Sequence, residues 1–256
     1  MRKNSFGRLA VVLVCLPAGC GRGTDSAAPT MARAELEAVS LDNAMFAASD
    51  LGPAHQGPRQ TISVSFFVGR VGPVHNGQAR WTNTDSNDAD PFSVELSVPE
   101  GFTQVDPDGT PHFFTSFAGI NFHHVPPAPP ANPPSFDFKT DRTGASDGSP
   151  RLVMIFSDGG NINLRPLTWE QDKWISEGPG NTSDPAFVNN WESNGGTCGF
   201  VYEQPYDVVL GCHAGQTITD AFIVTDSGWA NAPYKNWIDN IQYGGTTISQ
   251  PSDNMR

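Results

Sequence analysis

The stretch TITDAFIVTD, residues 217–226, is rich in β-branched and aromatic residues and directly follows the turn signal HAGQ. This composition is typical of a β-strand, because branched and aromatic side chains pack well on a pleated surface. Similar runs are TISVSFFVGRV (61–71), FSVELSV (92–98), HFFTSFAGINFHHV (112–125), RLVMIF (151–156), CGFVYE (198–203), DVVLGC (207–212) and WIDNIQYGGTTIS (237–249). No long stretch has apolar residues at a helical spacing. The sequence therefore predicts an all-β fold of two packed antiparallel sheets.

Two segments interrupt this succession of strands. The run VPPAPPANPP (125–134) lacks the backbone N–H groups of a central strand, so we expect a surface crossover there. Residues 168–196 carry Trp169, Trp174 and Trp191 among Gly, Asn, Ser and Pro. Because loops on a rigid scaffold often carry function, we expect this second segment to be the functional loop.

The N-terminus has the layout of a bacterial export signal over residues 1–20: basic residues, a short apolar core, and small residues before Cys20. The apolar core is too short to span a bilayer. The stretch LPAGC (16–20) resembles a bacterial lipobox, although Leu16 lies four residues before the cysteine instead of three. The resemblance implies a lipid anchor on Cys20 and a place in the cell envelope. Ordinary cleavage and secretion is the alternative.

The segment after the signal, residues 21–58, is small, polar and rich in alanine. Such a composition is typical of a flexible linker, so we expect a disordered tether there. Residues 59–256 then form the sandwich domain.

Cys198 and Cys212 are the cysteines that remain once Cys15 and Cys20 are assigned to the signal. An oxidising compartment favours a disulfide between them. The β-rich runs between the two cysteines could form a hairpin that brings the sulfurs within bonding range. Metal binding is the weaker alternative, because the paired C-x-x-C spacing of a zinc site is missing.

The chain is acidic, with 15 Lys and Arg against 27 Asp and Glu and a net charge of −12. Loss of residues 1–20 would remove three of the basic residues. This balance argues against nucleic acid as a partner and against electrostatic docking on anionic lipid. We expect a glycan or another small polar ligand as partner, and contact with a membrane only through the lipid anchor.

Three stretches resemble the second half of secreted bacterial jelly-roll domains, as found in many carbohydrate-binding modules. They are SPRLVMIFSDGG (149–160), DAFIVTDSGW (220–229) and NWIDNIQYGGTTIS (236–249). The resemblance implies a jelly-roll sandwich with a binding role. It supports the fold more than the function, because one jelly roll hosts many functions.

In the carbohydrate-binding modules that this chain resembles, an aspartate of the closing strand often holds a structural calcium ion. Asp239 is the matching position, so the resemblance implies calcium as a structural cofactor. Two oxygen-rich loops could supply further ligands: Asp85, Asn87, Asp88 and Asp90 in one, Asp106 and Asp108 in the other. Neither loop has EF-hand spacing, and polar turns that cap strands are the alternative.

Sugar recognition on a β scaffold needs aromatic faces that stack on the sugar rings and polar side chains that bind hydroxyls. The candidate binding residues are Trp169, Trp174, Trp191, Asn190, Trp229 and Tyr234. Asn189 and Asn194 are nearby polar partners, and we expect Trp237, at the start of a strand, to lie in the core. Each of these aromatic residues could instead be an ordinary core residue.

Catalysis is the first alternative to a binding role. The sequence has no G-x-S-x-G, H-E-x-x-H or P-loop motif. Glu170, Asp172 and Glu192 lie among the loop tryptophans, which leaves a carbohydrate hydrolase or lyase of unusual motif open. A structural or protein-interaction surface lipoprotein is the second alternative. We expect binding in preference to catalysis.

Overall fold

The computed structural model describes residues 62–87, 91–142, 149–166, 170–177, 190–227 and 233–248. The predicted signal with Cys20 and the predicted tether lie outside the described residues. Two antiparallel sheets pack against each other within the described part, so the predicted all-β sandwich is confirmed.

The strands and the one helix of the described residues have the following bounds: β1 Ser63–Val71, β2 Gln78–Thr82, β3 Ser93–Val98, β4 Gly101–Val105, β5 Pro111–His123, β6 Ser135–Thr140, β7 Arg151–Phe156, β8 Asn161–Leu164, β9 Ile175–Glu177, β10 Trp191–Gly195, β11 Gly199–Gln204, α1 Tyr206–Gly211, β12 Ile218–Asp226, β13 Tyr234–Tyr243 and β14 Thr246–Ile248. The larger sheet has the order β1-β5-β12-β7-β8-β10-β11, with β4 paired to β5. The smaller sheet has the order β2-β3-β13-β6-β9, with β14 paired to β13.

The core lies between the two sheets, because alternate residues of each strand point inward. The smaller sheet contributes fully buried side chains such as Leu96, Phe136 and Phe138, and the larger sheet contributes residues such as Leu152 and Ile223. Burying one such large apolar side chain stabilises the folded state by about 1.5–3 kcal/mol relative to leaving that side chain exposed. The hydrophobic effect thus holds the two sheets together.

The outer face of the larger sheet is apolar on its β1, β5 and β12 side. Phe117 and Phe222 form a second apolar cluster there with Val153 and Val224. The ring of Phe67 lies where a side chain of Gly119 would project, only 2.2 Å from the ideal Cβ position. Glycine is therefore required at this point of close approach.

The prediction of a strand at DVVLGC (207–212) is wrong, because this run forms the helix α1. The disulfide between Cys198 and Cys212 therefore does not close a hairpin of two strands. Short apolar runs do not distinguish a strand from a helix by periodicity. Val209 is fully buried and Val208 is exposed, as expected when one side of a helical turn packs on the core. The proline run connects β5 to β6 without a strand, as expected.

Candidate functional site

The outer side of strands β8, β10 and β11 presents a polar surface, which we call the β8–β10–β11 face. Ile162, Leu164 and Trp191 point into the core. Because side chains alternate along a strand, Asn163 and Glu192 point to the opposite, outer side. The full set of outer residues is Asn161, Asn163, Glu192, Asn194, Phe200 and Tyr202, flanked by Arg165. Asn161, Asn163 and Glu192 are buried, Asn194, Phe200 and Arg165 are partly buried, and Tyr202 is exposed.

Strand register places these side chains in two rows across the face. Asn163 lies opposite Glu192, and Asn161 lies opposite Asn194, which in turn lies opposite Phe200. The amide of Asn163 donates a hydrogen bond to the side-chain oxygen of Asn161 at 3.0 Å. The face therefore combines amide donors, amide acceptors and a carboxylate within neighbouring strands.

Arg165 lies between two glutamates of this face. Its Nε atom is 2.6 Å from Oε1 of Glu192, and its second guanidinium nitrogen is 3.8 Å from Oε1 of Glu203. Glu192 is only 3% exposed, whereas the side chain of Glu203 is 62% exposed. Burial raises the pKa of Glu192, and the charges of Arg165 and Arg151 only partly oppose this effect.

Two aromatic rings border the polar rows on the β11 side. Tyr202 is 38% exposed, and its ring centroid lies 3.9 Å from that of Phe200 in an edge-to-face arrangement. The guanidinium carbon of Arg165 lies 5.9 Å from the ring centroid of Tyr202. Burial raises the pKa of the Tyr202 hydroxyl, so it remains a neutral hydrogen-bond donor.

The backbone is irregular where the two glutamates lie. The pairing of β10 with β11 shifts register between Trp191 and Ser193, around Glu192. Glu203 has a φ of 51°. A register shift of this kind re-aims side chains and is frequent beside functional sites.

Beneath the face, a buried hydrogen-bond chain anchors β10. The hydroxyl of Ser193 lies 3.1 Å from Nε2 of His213, whose Nδ1 lies 2.9 Å from a carboxylate oxygen of Asp158. This connectivity is that of a Ser-His-Asp triad. The side chain of His213 and all of Ser193 are inaccessible to solvent, so the chain holds β10 against the β7–β8 turn.

The predicted disulfide is confirmed: Cys198 and Cys212 are bonded. The bond joins the β10–β11 turn to the residue after α1. The amide of Thr197 also donates a hydrogen bond to the carbonyl oxygen of Cys212 at 2.8 Å. The turn that connects the two outer strands of the face is therefore held at a fixed place.

Three predicted binding residues lie in the interior instead of at the surface. Trp191 is 1% exposed and packs on the ring of Tyr206. Tyr234 is buried, and its hydroxyl donates a hydrogen bond to the main-chain oxygen of Asp226. Asn190 is buried as well, and its carbonyl oxygen accepts a hydrogen bond from the amide of Arg165. In these positions none of the three can stack on a sugar or bind its hydroxyls.

Trp174 lies on the outer side of the smaller sheet, in a cluster around Lys139. Trp237, which we expected in the core, lies there too and is only partly buried. The ammonium of Lys139 is 4.8 Å from the ring centroid of Trp237 and 5.8 Å from that of Trp174. Lys139 also forms an ion pair with Asp85, which accepts a hydrogen bond from the indole N–H of Trp174. The rings of Trp174 and Trp237 therefore already contact a cation of the protein itself, the ammonium of Lys139.

Asp239, the predicted calcium ligand, lies in the same region opposite Asp137. Its two carboxylate oxygens each accept a hydrogen bond at 2.7 Å, one from the amide of Asn87 and one from the amide of Asn240. The side-chain amides of these same asparagines donate to one oxygen of Asp137. Calcium needs several free oxygen ligands. Through these hydrogen bonds Asp239 anchors the loop that contains Asn87, and calcium binding by Asp239 stays a prediction.

The described residues include no group of three or more His, Cys, Asp or Glu side chains that could hold a metal ion.

Trp169 and Trp229 lie outside the described part, and their binding roles stay predictions. Glu170 and Asp172 are exposed, and Glu170 pairs with Lys173. Gln171 between them bridges to Thr140 of the smaller sheet, so they are not on the surface of Glu192.

No protein-family model matches this chain, and no curated protein matches its sequence. None of the helical structure in the described ranges is long and apolar enough to cross a membrane. The evidence on function therefore comes from the side chains themselves.

Sequence reasoning missed Asn161, Asn163, Arg165 and Tyr202, which are distant in the chain and meet only through strand pairing. The signal that was available is the alternation in NINL, which puts both asparagines on one side of a strand.

Proposed function

We propose that the protein binds carbohydrate on the β8–β10–β11 face, as an exported protein held in the cell envelope by a lipid on Cys20. The observation that carries the proposal is the exposed ring of Tyr202, with the exposed side chain of Glu203 next to it and the partly exposed Arg165 and Asn194 nearby. Amide and carboxylate groups bind vicinal hydroxyls with paired hydrogen bonds, and an aromatic ring covers the apolar C–H side of a sugar.

Electrostatics favour a neutral ligand over a strongly charged one. Arg165 is balanced by Glu192 and Glu203, so the face presents no unopposed positive charge among its described residues. An anionic ligand would have to approach an acidic protein at a surface that already contains two carboxylates. A polyhydroxylated ligand satisfies the amides without bringing in charge.

Affinity electrophoresis in gels that contain a soluble polysaccharide tests the proposal. Suitable probes are hydroxyethylcellulose, xylan, galactomannan, laminarin and polygalacturonate, each compared with a gel that contains none. We expect retardation by at least one neutral polysaccharide. We expect Tyr202→Ala to weaken that binding about tenfold, the loss that corresponds to about 1.4 kcal/mol of stacking energy.

Trp174→Ala is the matched control, because this aromatic residue lies on the other sheet. We expect it to retain the affinity of the wild type. No retardation in any gel would contradict carbohydrate binding. Loss of binding in Trp174→Ala with full binding in Tyr202→Ala would instead locate the ligand on the smaller sheet.

A further inference from the structure

Strand β4 is an edge of the larger sheet that lacks the usual protection of an edge strand. Among the described residues it pairs with β5 alone. The other described edge strands of five or more residues each contain a charged residue: Arg70 in β1, Arg80 in β2 and Glu203 in β11. β4 has the sequence GFTQV, without charge or proline. Charged residues and proline commonly block the addition of a further strand, so this edge is open to one.

The hairpin formed by β4 and β5 projects beyond the neighbouring strand. Thr115 of β5 pairs with Val71 of β1 on one side and with Gly101 of β4 on the other. β4 therefore lies on the side of β5 that β12 also occupies, and the pairing of β12 ends at Phe117. The free edge of β4 thus lies past the end of β12.

Hydrogen bonding within the hairpin shows which main-chain groups of β4 point outward. The amide of Ser116 donates to the carbonyl oxygen of Glu100 at 3.2 Å, and the amide of Asp106 donates to that of Thr110 at 2.9 Å. Even-numbered residues therefore bond to β5, because hydrogen-bonded residues alternate along an antiparallel strand. The N–H and C=O groups directed away from β5 are those of Gly101, Thr103 and Val105.

Exposed apolar side chains accompany these outward main-chain groups. Val105 is 60% exposed and Phe102 is 37% exposed. The ring of Phe102 packs on that of Phe114 across the hairpin, with 4.8 Å between the ring centroids. An open strand edge beside exposed apolar side chains is the arrangement that strand addition uses.

We propose that two copies of this chain associate by antiparallel pairing of their β4 edges about a two-fold axis at Thr103. In this register Thr103 lies opposite Thr103 of the second copy, and Gly101 lies opposite Val105 on either side. All of the outward main-chain groups then find partners, because each of these residue pairs exchanges two hydrogen bonds. The proposal is independent of carbohydrate binding on the β8–β10–β11 face.

The side chains on one side of β4 suit this two-fold pairing. Phe102 lies diagonally across from Phe102 of the second copy, at the roughly 7–8 Å that aromatic side chains can bridge. The ring pair of Phe102 and Phe114 therefore continues into the equivalent pair of the second copy. This continuity would bury apolar surface that is exposed in one copy alone.

Charge does not oppose the pairing at its centre, because β4 itself is uncharged. At the two ends Glu100 comes opposite Asp106 of the second copy. Each carboxylate already contacts a histidine of its own copy, since Glu100 lies 2.6 Å from His75 and Asp106 lies 2.8 Å from His112. These contacts offset the repulsion between the two acidic side chains.

The contact is small, so the expected dimer is weak. Two strands of five residues bury less than the roughly 1,200–2,000 Å² of a stable interface. We expect a dissociation constant on the order of 10–100 µM, as for transient contacts.

Sedimentation velocity of the full-length chain from about 1 to 500 µM tests the proposal. We expect a reversible equilibrium between monomer and dimer. Thr103→Pro removes an outward N–H that β5 does not use, and proline is tolerated at such an edge position. We expect this variant to weaken the dimer about tenfold or more, because the hydrogen bonds at the axis are lost.

Opposite charges at the axis test the register itself. We expect Thr103→Lys and Thr103→Glu each to weaken the dimer about tenfold or more, because like charges then lie directly opposite. An equimolar mixture of the two should associate within about twofold of the wild type, since a lysine then meets a glutamate. Val208→Lys and Val208→Glu change an exposed valine of α1 and are the matched controls. We expect wild-type association from them, alone and mixed.

A wild type that stays monomeric at every concentration would overturn the proposal. A dimer that persists unchanged in the Thr103 variants would place the contact elsewhere and overturn it too, as would a mixture no stronger than its separate components. Circular dichroism checks folding, and the two charge variants keep the test decisive if Thr103→Pro unfolds. Retardation of the Thr103 variants by polysaccharide gels should match that of the wild type, so failure here leaves the proposed function standing.

Discussion

The disulfide between Cys198 and Cys212 offers a prediction whose size follows from the chain length that it closes. The two cysteines are separated by 14 positions, so the unfolded chain contains a closed loop of that length. Closing a loop of about 15 residues lowers the entropy of the unfolded chain enough to stabilise the folded state by about 3 kcal/mol. For a domain of this size the same change corresponds to a fall in Tm of roughly 6–12 °C.

The assay is urea unfolding followed by tryptophan fluorescence, with and without a reductant. Reduced wild-type protein keeps both sulfur atoms, so no cavity is created and the change in the free energy of unfolding reports the lost cross-link. The double variant Cys198→Ala and Cys212→Ala should fall within about 1 kcal/mol of the reduced wild type, because only Cys212 is buried. A reduced protein as stable as the oxidised one would refute the reasoning from loop entropy.

The remaining predictions concern two buried carboxyl groups. Burial holds the pKa of Glu192 above its ordinary value of 4.5, so the folded state binds this proton more tightly than the unfolded chain. Its contribution to stability is therefore fully present below that ordinary value and is lost as pH rises through the raised pKa. The wild type should accordingly lose more free energy of unfolding between pH 4 and pH 8 than Glu192→Gln, and equal losses in urea titrations would contradict this. Asp239→Ala removes the acceptor of the Asn87 and Asn240 amides, and should lower the free energy of unfolding by about 1–3 kcal/mol. EDTA should leave wild-type stability unchanged, and an equal loss on chelation would show that Asp239 binds a metal ion.

The sequence determined the fold class, because strand formation is dictated locally. Runs such as RLVMIF and FSVELSV are rich in branched and aromatic side chains, and both are strands of almost the predicted length. The packing of two sheets against each other follows from the same pattern, because the apolar residues on one side of each sheet need a second layer to cover them. The pairing of Cys198 with Cys212 could be predicted too, because the expected export and the cysteine count left one pair.

The sequence was insufficient where short segments depend on their neighbours. β8, β9 and β14 have three or four residues each, and β10 is mostly polar. Such segments become strands because an adjacent strand supplies hydrogen bonds, which local composition does not record. The run that became α1 shows the opposite case, in which apolar residues suit either structure until the core selects one side.

Only the tertiary structure decided which side chains share a surface. Trp191 and Glu192 are adjacent in the chain and seemed to belong to one site, yet they point to opposite sides of β10. Asn163 and Glu192 are far apart in the chain and meet because β8 and β10 pair in one register. A shift of that register by one residue would reverse every side chain on the strand. The sequence determines that this chain forms strands, and strand pairing across the sandwich determines which of their side chains can act together.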